Sequence, residues 1–567
     1  MKKIILLSIT TLLAACAGQQ PDQKITAQNE PKEESTSSIK PNKPQVGISQ
    51  IGDVILTDAE SDALYQIQAT SGKANRKMKA ESKIAYHPPM PMPQSVQPQD
   101  NENYKHFENQ SVQSVFNNPI STFSIDVDTG SYANVRRMLN QGQIPRQDAV
   151  RVEEMINYFS YDYETPEGMD QPFLANTEIA PSPWNAEAHL LHIGIKGYDK
   201  PVAERPAANL VFLVDVSGSM NGPDKIGLLK SSLKLLTKQM TAEDRVSMVV
   251  YAGAAGVVLE PTAGNNQAKI AIALDKLSAG GSTNGAAGIH LAYQLAEQNL
   301  IKDGINRILI ATDGDFNVGT TNFEALQELV EEKRKKGVSL TTLGFGTGNY
   351  NDHLMEQLAD VGNGNYAYID TIKEANKVLV NQINSTLFTI AKDVKIQVEF
   401  NPEVVTEYRL VGYENRQLNT EDFANDKVDA GEIGSGHTVT AIYEIVLQGN
   451  KGWLSESRYQ KNVVPKANTD EIAFLKIRYK QPDADTSQLL EWPIMKNNIK
   501  NLNEVSDEFK FAASVAAFGQ ILREGTYLKS FGYDDILTLA SNSKGQDKFG
   551  YRGEFLQLVS LAKGLAN

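Results

Sequence analysis

Residues 210–220 read Leu210-Val211-Phe212-Leu213-Val214-Asp215-Val216-Ser217-Gly218-Ser219-Met220. Five consecutive apolar residues without alternation form the pattern of a strand buried on both faces, as in a parallel sheet covered by helices. The run ends in an Asp, with Ser at i+2 and i+4. Three oxygen side chains therefore stand just past the carboxyl end of a buried strand, where open α/β sheets bind ligands. Carboxylate and hydroxyl oxygens are hard donors that suit Mg2+, Mn2+ or Ca2+ better than softer metals.

On both sides of this stretch, short β-branched runs alternate with amphipathic segments. Strands are predicted at Arg245 to Tyr251, Arg307 to Ala311, Val338 to Phe345 and Tyr366 to Ile369. Helices are predicted over Ile226 to Met240, Gln267 to Leu277, Gly285 to Gln298, Asn322 to Lys336, Asp352 to Val361 and Ile372 to Leu387. Strands alternating with helices of this length specify an α/β fold with a doubly wound parallel sheet, Rossmann-like in layout. After Thr389 the apolar residues recur at period two, as in Val394-Lys395-Ile396-Gln397-Val398-Glu399-Phe400, which predicts strands with one wet face. Similar signals precede the α/β segment at Ala175 to Ala180 and His189 to Gly197, so one flanking β-rich unit is expected to draw on both sides. The chain then returns to helix, with Ser506 placed to cap a helix opening Asp507-Glu508.

Asp215-Val216-Ser217-Gly218-Ser219 resembles the metal-ion-dependent adhesion site of von Willebrand factor type A (VWA) domains. That family takes a Thr from a Gly-rich loop before a helix, which matches Thr283 in Gly280-Gly281-Ser282-Thr283-Asn284-Gly285. Its last Asp ends the next buried strand and matches Asp313 in Ile308-Leu309-Ile310-Ala311-Thr312-Asp313-Gly314. The resemblance implies a divalent ion, Mg2+ or else Mn2+ or Ca2+, with Ser217, Ser219 and Thr283 binding directly and Asp215 and Asp313 binding directly or through water. It also implies one open coordination position for an Asp or Glu of a protein partner. Residues 121–137 and 151–159 are similar to the N-terminal region of bacterial YfbK-type VWA lipoproteins, and 511–519 and 549–552 to that family's C-terminal domain.

Composition narrows the function classes. Lys and Arg number 55 against 69 Asp and Glu, a net charge of −14 without a dense basic run, which excludes a nucleic-acid partner. One cysteine in 567 residues excludes intramolecular disulfides and cysteine-held metal clusters. That residue, Cys16, follows Met1-Lys2-Lys3 and an apolar stretch from Ile4 to Ala15. The stretch is shorter than the roughly 20 residues of a spanning helix and is expected to be a signal peptide. Leu13-Ala14-Ala15-Cys16 resembles the bacterial lipobox, which implies a lipidated Cys16 as membrane anchor. Ala17 stands where an inner-membrane retention Asp would be, so outer-membrane placement in the cell envelope is expected.

The expected organisation is a lipoprotein signal peptide over 1–15 and lipidated Cys16 with a disordered tether over 16–118. A VWA-associated region over 119–206, the VWA domain with its metal site over 207–388, and a β-rich plus helical domain over 389–567 follow. The tether is rich in Gln, Pro, Lys and Ser; about 100 such residues reach on the order of 55 Å. Ile51 to Ile67 is a short amphipathic exception.

Two other motifs spell enzymes and fail on context. Asp128-Thr129-Gly130-Ser131 lacks the second such motif that an aspartic protease needs, and Asp126-Val127-Asp128-Thr129 follows too short and polar a strand for a phosphatase of the haloacid dehalogenase type. Asp128 is expected to cap a helix, and Asn349, Asp352 and His353 to mark a helix start. The function expected is non-enzymatic binding of a protein partner through the metal; the alternatives are an envelope-assembly scaffold with a structural metal, and last a hydrolase.

Overall fold

The computed structural model describes residues 101–314, 323–455 and 470–566. The chain divides into two units, Met1–Pro91 and Met92–Asn567, and the described residues belong to the second. Cys16, the expected signal peptide, the segment Ile51 to Ile67 and the expected tether up to residue 100 lie outside them.

The expected boundary at residue 118 needs correction, because the folded body starts earlier. Asn101 N–H donates to Gly348 O at 3.0 Å and Asn103 N–H to Tyr350 O at 2.8 Å. Glu102, buried, pairs with Arg137 at 2.7 Å, and β1 (Gln113–Ser114) adds to a sheet edge. This stretch is held by backbone hydrogen bonds and an ion pair, with Val115 as its buried apolar anchor, so polar composition disguised it. There follow β2 (Ile120–Ser124), α1 (Gly130–Asn140), α2 (Val152–Asn157), β3 (Phe173–Pro181) and β4 (Ala188–Gly197).

The central α/β segment runs β5 (Ala208–Asp215), α3 (Leu228–Thr237), β6 (Arg245–Tyr251), β7 (Ala255–Ala263), α4 (Gln267–Asp275), α5 (Gly285–Gln298), β8 (Ile305–Thr312), α6 (Phe323–Lys335), β9 (Ser339–Phe345), α7 (Asp352–Val361) and β10 (Tyr366–Ile369). Its sheet has the order β10-β9-β8-β5-β6-β7. Every residue of β5 is buried: Leu210, Phe212 and Val214 enter the core on one face, Val211 and Leu213 the core on the other. That two-sided burial is the physical reason for the unbroken apolar run. All neighbours pair in parallel except β7, which runs antiparallel to β6 as an edge. Only three residues join β6 to β7, enough for a hairpin but far too few for a parallel crossover.

The predicted helix from Ile372 to Leu387 is broken into α8 (Ile372–Asn376), a widened turn over Lys377–Asn381, and α9 (Ile383–Leu387). At the break Lys377 is buried, its ammonium 3.7 Å from the centre of the Tyr158 ring.

The remaining strands are β11 (Thr389–Phe400), β12 (Val405–Val411), β13 (Ile433–Gly434), β14 (Thr438–Leu447), β15 (Glu471–Lys480) and β16 (Ser487–Met495). They form two sheets with strands from before the α/β segment, in the orders β1-β12-β14-β4-β3 and β13-β11-β15-β16, with β2 also on β11. Thus β4 lies against β14 across an intervening α/β segment, and residues such as Phe123, Ile193, Ile396, Tyr443 and Leu475 share one core between the sheets. A wet face survives on β16 but not on β14, which is buried almost throughout. Helices cover its other face: Ile442 packs with Met155, Phe511 and Val515. Those helices are α2, α10 (Asp507–Leu522), α11 (Tyr533–Asn542) and α12 (Tyr551–Ala566), and Ser506 caps α10 by accepting from Phe509 N–H at 3.1 Å.

Within this helical seam Glu153 is fully buried, accepting from Tyr413 N–H at 2.9 Å. Burial, helped by the charge of Glu414, pushes its carboxyl from 4.5 up to about 8. A raised native value means the native state holds the proton more tightly than the unfolded chain. The stability so gained is complete below pH 4.5 and is lost as pH rises through about 8. Chemical denaturation is expected to show wild type losing stability across that window relative to Glu153→Gln, with the gap closing again at low pH.

Candidate metal centre

Asp215 ends β5 and is fully buried. Its Oδ1 accepts from Ser217 N–H at 2.8 Å; its Oδ2 accepts from Thr312 Oγ at 2.8 Å and from the Tyr251 hydroxyl at 3.2 Å. Three adjacent strands, β5, β6 and β8, therefore converge on one carboxylate at their carboxyl ends. Burial pushes the Asp215 carboxyl above the usual range and the nearby Asp313 charge adds to this, against the hydrogen bonds from Ser217 and Thr312. A buried carboxylate beside a second acid is stabilised by a cation.

Past Asp215 the chain turns through a short 3-10 helix, Gly218–Met220, which sets Ser217 Oγ 2.9 Å from Ser219 Oγ. The loop that carries Thr283 is tied to this turn by two backbone bonds, Gly218 N–H to Gly281 O at 2.9 Å and Gly280 N–H to Val216 O at 2.8 Å. Gly281 takes φ +91°, a left-handed conformation that favours glycine. Two residues on, Thr283 is half-buried at the head of α5, which Asn284 caps. Asp313 follows β8, is 2% exposed, and forms an ion pair with Lys225 Nζ at 3.0 Å through its Oδ2.

Asp215, Ser217 and Ser219 thus form one bonded chain. Asp313 lies close enough to act on the Asp215 charge, and Thr283 belongs to a loop bonded to the same turn. Among the described residues no group of three or more His, Cys, Asp or Glu is arranged to hold a metal; this centre differs in drawing three of its five donors from hydroxyls. All five are oxygens, and two acids offset a divalent charge, so the residues fit Mg2+ or a similar hard ion.

Sequence reading missed Tyr251, Thr312 and Lys225. The first two carried a usable signal, since both sit at the carboxyl end of a buried strand and Tyr251 is in register with Asp215. Lys225 carried none, lying in a turn 88 positions from Asp313.

The remaining acids have structural partners. Asp128 does not cap α1, whose cap residue Thr129 makes no side-chain bond; instead it accepts from Tyr366 N–H at 2.7 Å and pairs with Arg416 at 3.1 Å. Asp352 opens α7, as expected, and pairs with Arg151.

A model described as von Willebrand factor type A domain matches residues 209–385, one described as von Willebrand factor matches 98–192, and one described as Uncharacterized protein YfbK, C-terminal, matches 385–565. YfbK of Escherichia coli (strain K12) is 48% identical over 472 residues, 82% of this chain and 81% of that protein. The chain belongs to the YfbK family of VWA-domain proteins. Human inter-alpha-trypsin inhibitor heavy chain H4 is 32% identical over 146 residues, 24% of this chain and 16% of that protein. A solved von Willebrand factor type A structure from Catenulispora acidiphila aligns with TM-score 0.38 and 14% identity, over 70% of this chain and 91% of that one. The YfbK-family chain carries a VWA domain, a fold associated with protein interaction and adhesion. No helix among its described residues is long and apolar enough to cross a membrane.

Proposed function

We propose that this YfbK-family protein is a lipid-anchored cell-envelope protein, attached to the outer membrane through Cys16, whose VWA domain binds a protein partner. The contact runs through a divalent ion, Mg2+ or else Mn2+ or Ca2+, held by Asp215, Ser217, Ser219, Thr283 and Asp313. The observation that carries this reading is the fully buried Asp215 carboxylate, oriented by Ser217, Thr312 and Tyr251 at the carboxyl edge of the sheet. When bound, the ion supplies a positive centre to which an Asp or Glu of the partner can add. Asp215 and its donors keep the centre in shape, and the Ser217 and Ser219 hydroxyls present adjacent oxygens.

One feature favours this over hydrolysis. Ser217 Oγ bonds to Ser219 and not to a histidine base, whereas a serine nucleophile is activated by an adjacent base; that supports binding over hydrolysis. Pull-downs from envelope extract are expected to recover partners with wild type and Mg2+, and to lose them with EDTA or with Asp215→Ala. Identical partners under every condition would overturn the reading.

A further inference from the structure

We infer that Lys225 is a tethered cation which neutralises the Asp313 side of this centre in the metal-free protein and must be displaced when a divalent ion binds. The inference rests on the reading of Asp215, Ser217, Ser219, Thr283 and Asp313 as a metal centre, and it names the residue that tunes that centre's affinity.

The Lys225 ammonium lies 3.0 Å from Asp313 Oδ2, with the lysine side chain 14% exposed and the aspartate 1% exposed. This is no loose surface pair. Lys225 sits in a widened turn, Pro223–Gly227, closed by Gly227 N–H to Gly222 O at 3.3 Å; turns of this kind recur at functional sites. Its stem runs against Gly346, where a Cβ would fall 2.4 Å from Lys225 Cγ and Cε. The adjoining chain thus leaves a groove that a larger residue at 346 would close on the lysine.

Charge balance makes ammonium and ion competitors. Asp215 and Asp313 carry two negative charges, which one divalent ion cancels. With Lys225 still paired to Asp313, the centre would hold three positive charges against two negative ones in a buried setting, where like charges repel strongly. Binding is therefore an exchange in which Asp313 gives up the ammonium and takes the ion. Asp215 needs no such partner in the metal-free state, since Ser217, Thr312 and Tyr251 already donate to it. The cost of the exchange is about that of one charge-assisted hydrogen bond to a buried carboxylate, which corresponds to roughly ten- to a hundred-fold in affinity.

The test is titration of Mn2+ into the purified full chain, followed by calorimetry and by the electron paramagnetic resonance of free Mn2+. Lys225→Met is expected to bind roughly ten- to a hundred-fold more tightly than wild type, while Lys225→Arg, which keeps the charge, stays within about threefold. Lys225→Gln has the same expected direction as Met, and serves if the Met variant does not fold. Adding Asp215→Ala to the tighter variant is expected to abolish binding. Equal affinity of wild type and the uncharged variants, with Asp215→Ala still abolishing binding, overturns the exchange and leaves the metal centre standing. Equal tightening by Met and Arg overturns it too, since packing and not charge would be responsible. No Mn2+ binding by any variant overturns both the exchange and the metal centre.

Discussion

Arg151→Met is expected to lower the stability of the folded body by about 3–5 kcal/mol, the range for removing one partner of a buried ion pair, read as a fall in the denaturant midpoint. Arg151 is 1% exposed and, among the described residues, is the bulkiest of the fully buried side chains. It pairs with Glu154 on α2 and with both oxygens of Asp352 at the head of α7, and its guanidinium lies over the Tyr366 ring at 5.8 Å. Methionine fills much of the volume but leaves Glu154 and Asp352 without their shared cation, both fully buried. An uncompensated buried charge must either ionise at high cost or take up a proton. The variant's deficit is accordingly expected to shrink in mildly acidic buffer, because protonation relieves Glu154, whose carboxyl burial already pushes upward.

Arg416→Met is expected to cost about 3 kcal/mol by the same mechanism. Arg416 lies between β12 and β13 and faces four acids, Asp360 at 2.7 Å, Asp128 at 3.1 Å, Asp126 at 3.3 Å and Glu356 at 3.5 Å. Glu356 is also 3.8 Å from Arg151, so the two arginines share an acid. The double variant is expected to depart from the sum of the singles by about 0.5–3 kcal/mol, the range for coupled neighbours; strict additivity in a double-mutant cycle would show that Glu356 transmits nothing. Both arginines join the α/β segment to chain that precedes or follows it. They thus fix the body that carries the candidate metal centre, and neither pairs with its residues.

The local features of this protein were legible in its residues. Leu210 to Val214 had to be buried on both faces because no polar residue interrupts the run, and β5 is the strand so placed. Asp215, Ser217 and Ser219 were legible as a set because their spacing, i, i+2 and i+4 after that strand, is a local property that the following turn preserves. Strand alternation on either side of the α/β segment likewise pointed to one shared β unit, and β4 does pair with β14.

Contacts between distant polar side chains were decided by the tertiary structure alone. Residues 101–118 read as tether, yet they are bonded into the body through Asn101, Asn103 and Glu102. Asp128 read as a helix cap and instead accepts a backbone bond from β10. Lys225 carried no signal in the sequence, yet it faces Asp313. The physical reason is common to all three: apolar burial imposes a periodicity that the order of residues displays, whereas an ion pair or a lone hydrogen bond needs only two groups brought together by the fold. The sequence by itself determined a doubly wound sheet with hard oxygen donors at its carboxyl edge. Which charges stand against those oxygens was decided only when the chain closed on itself.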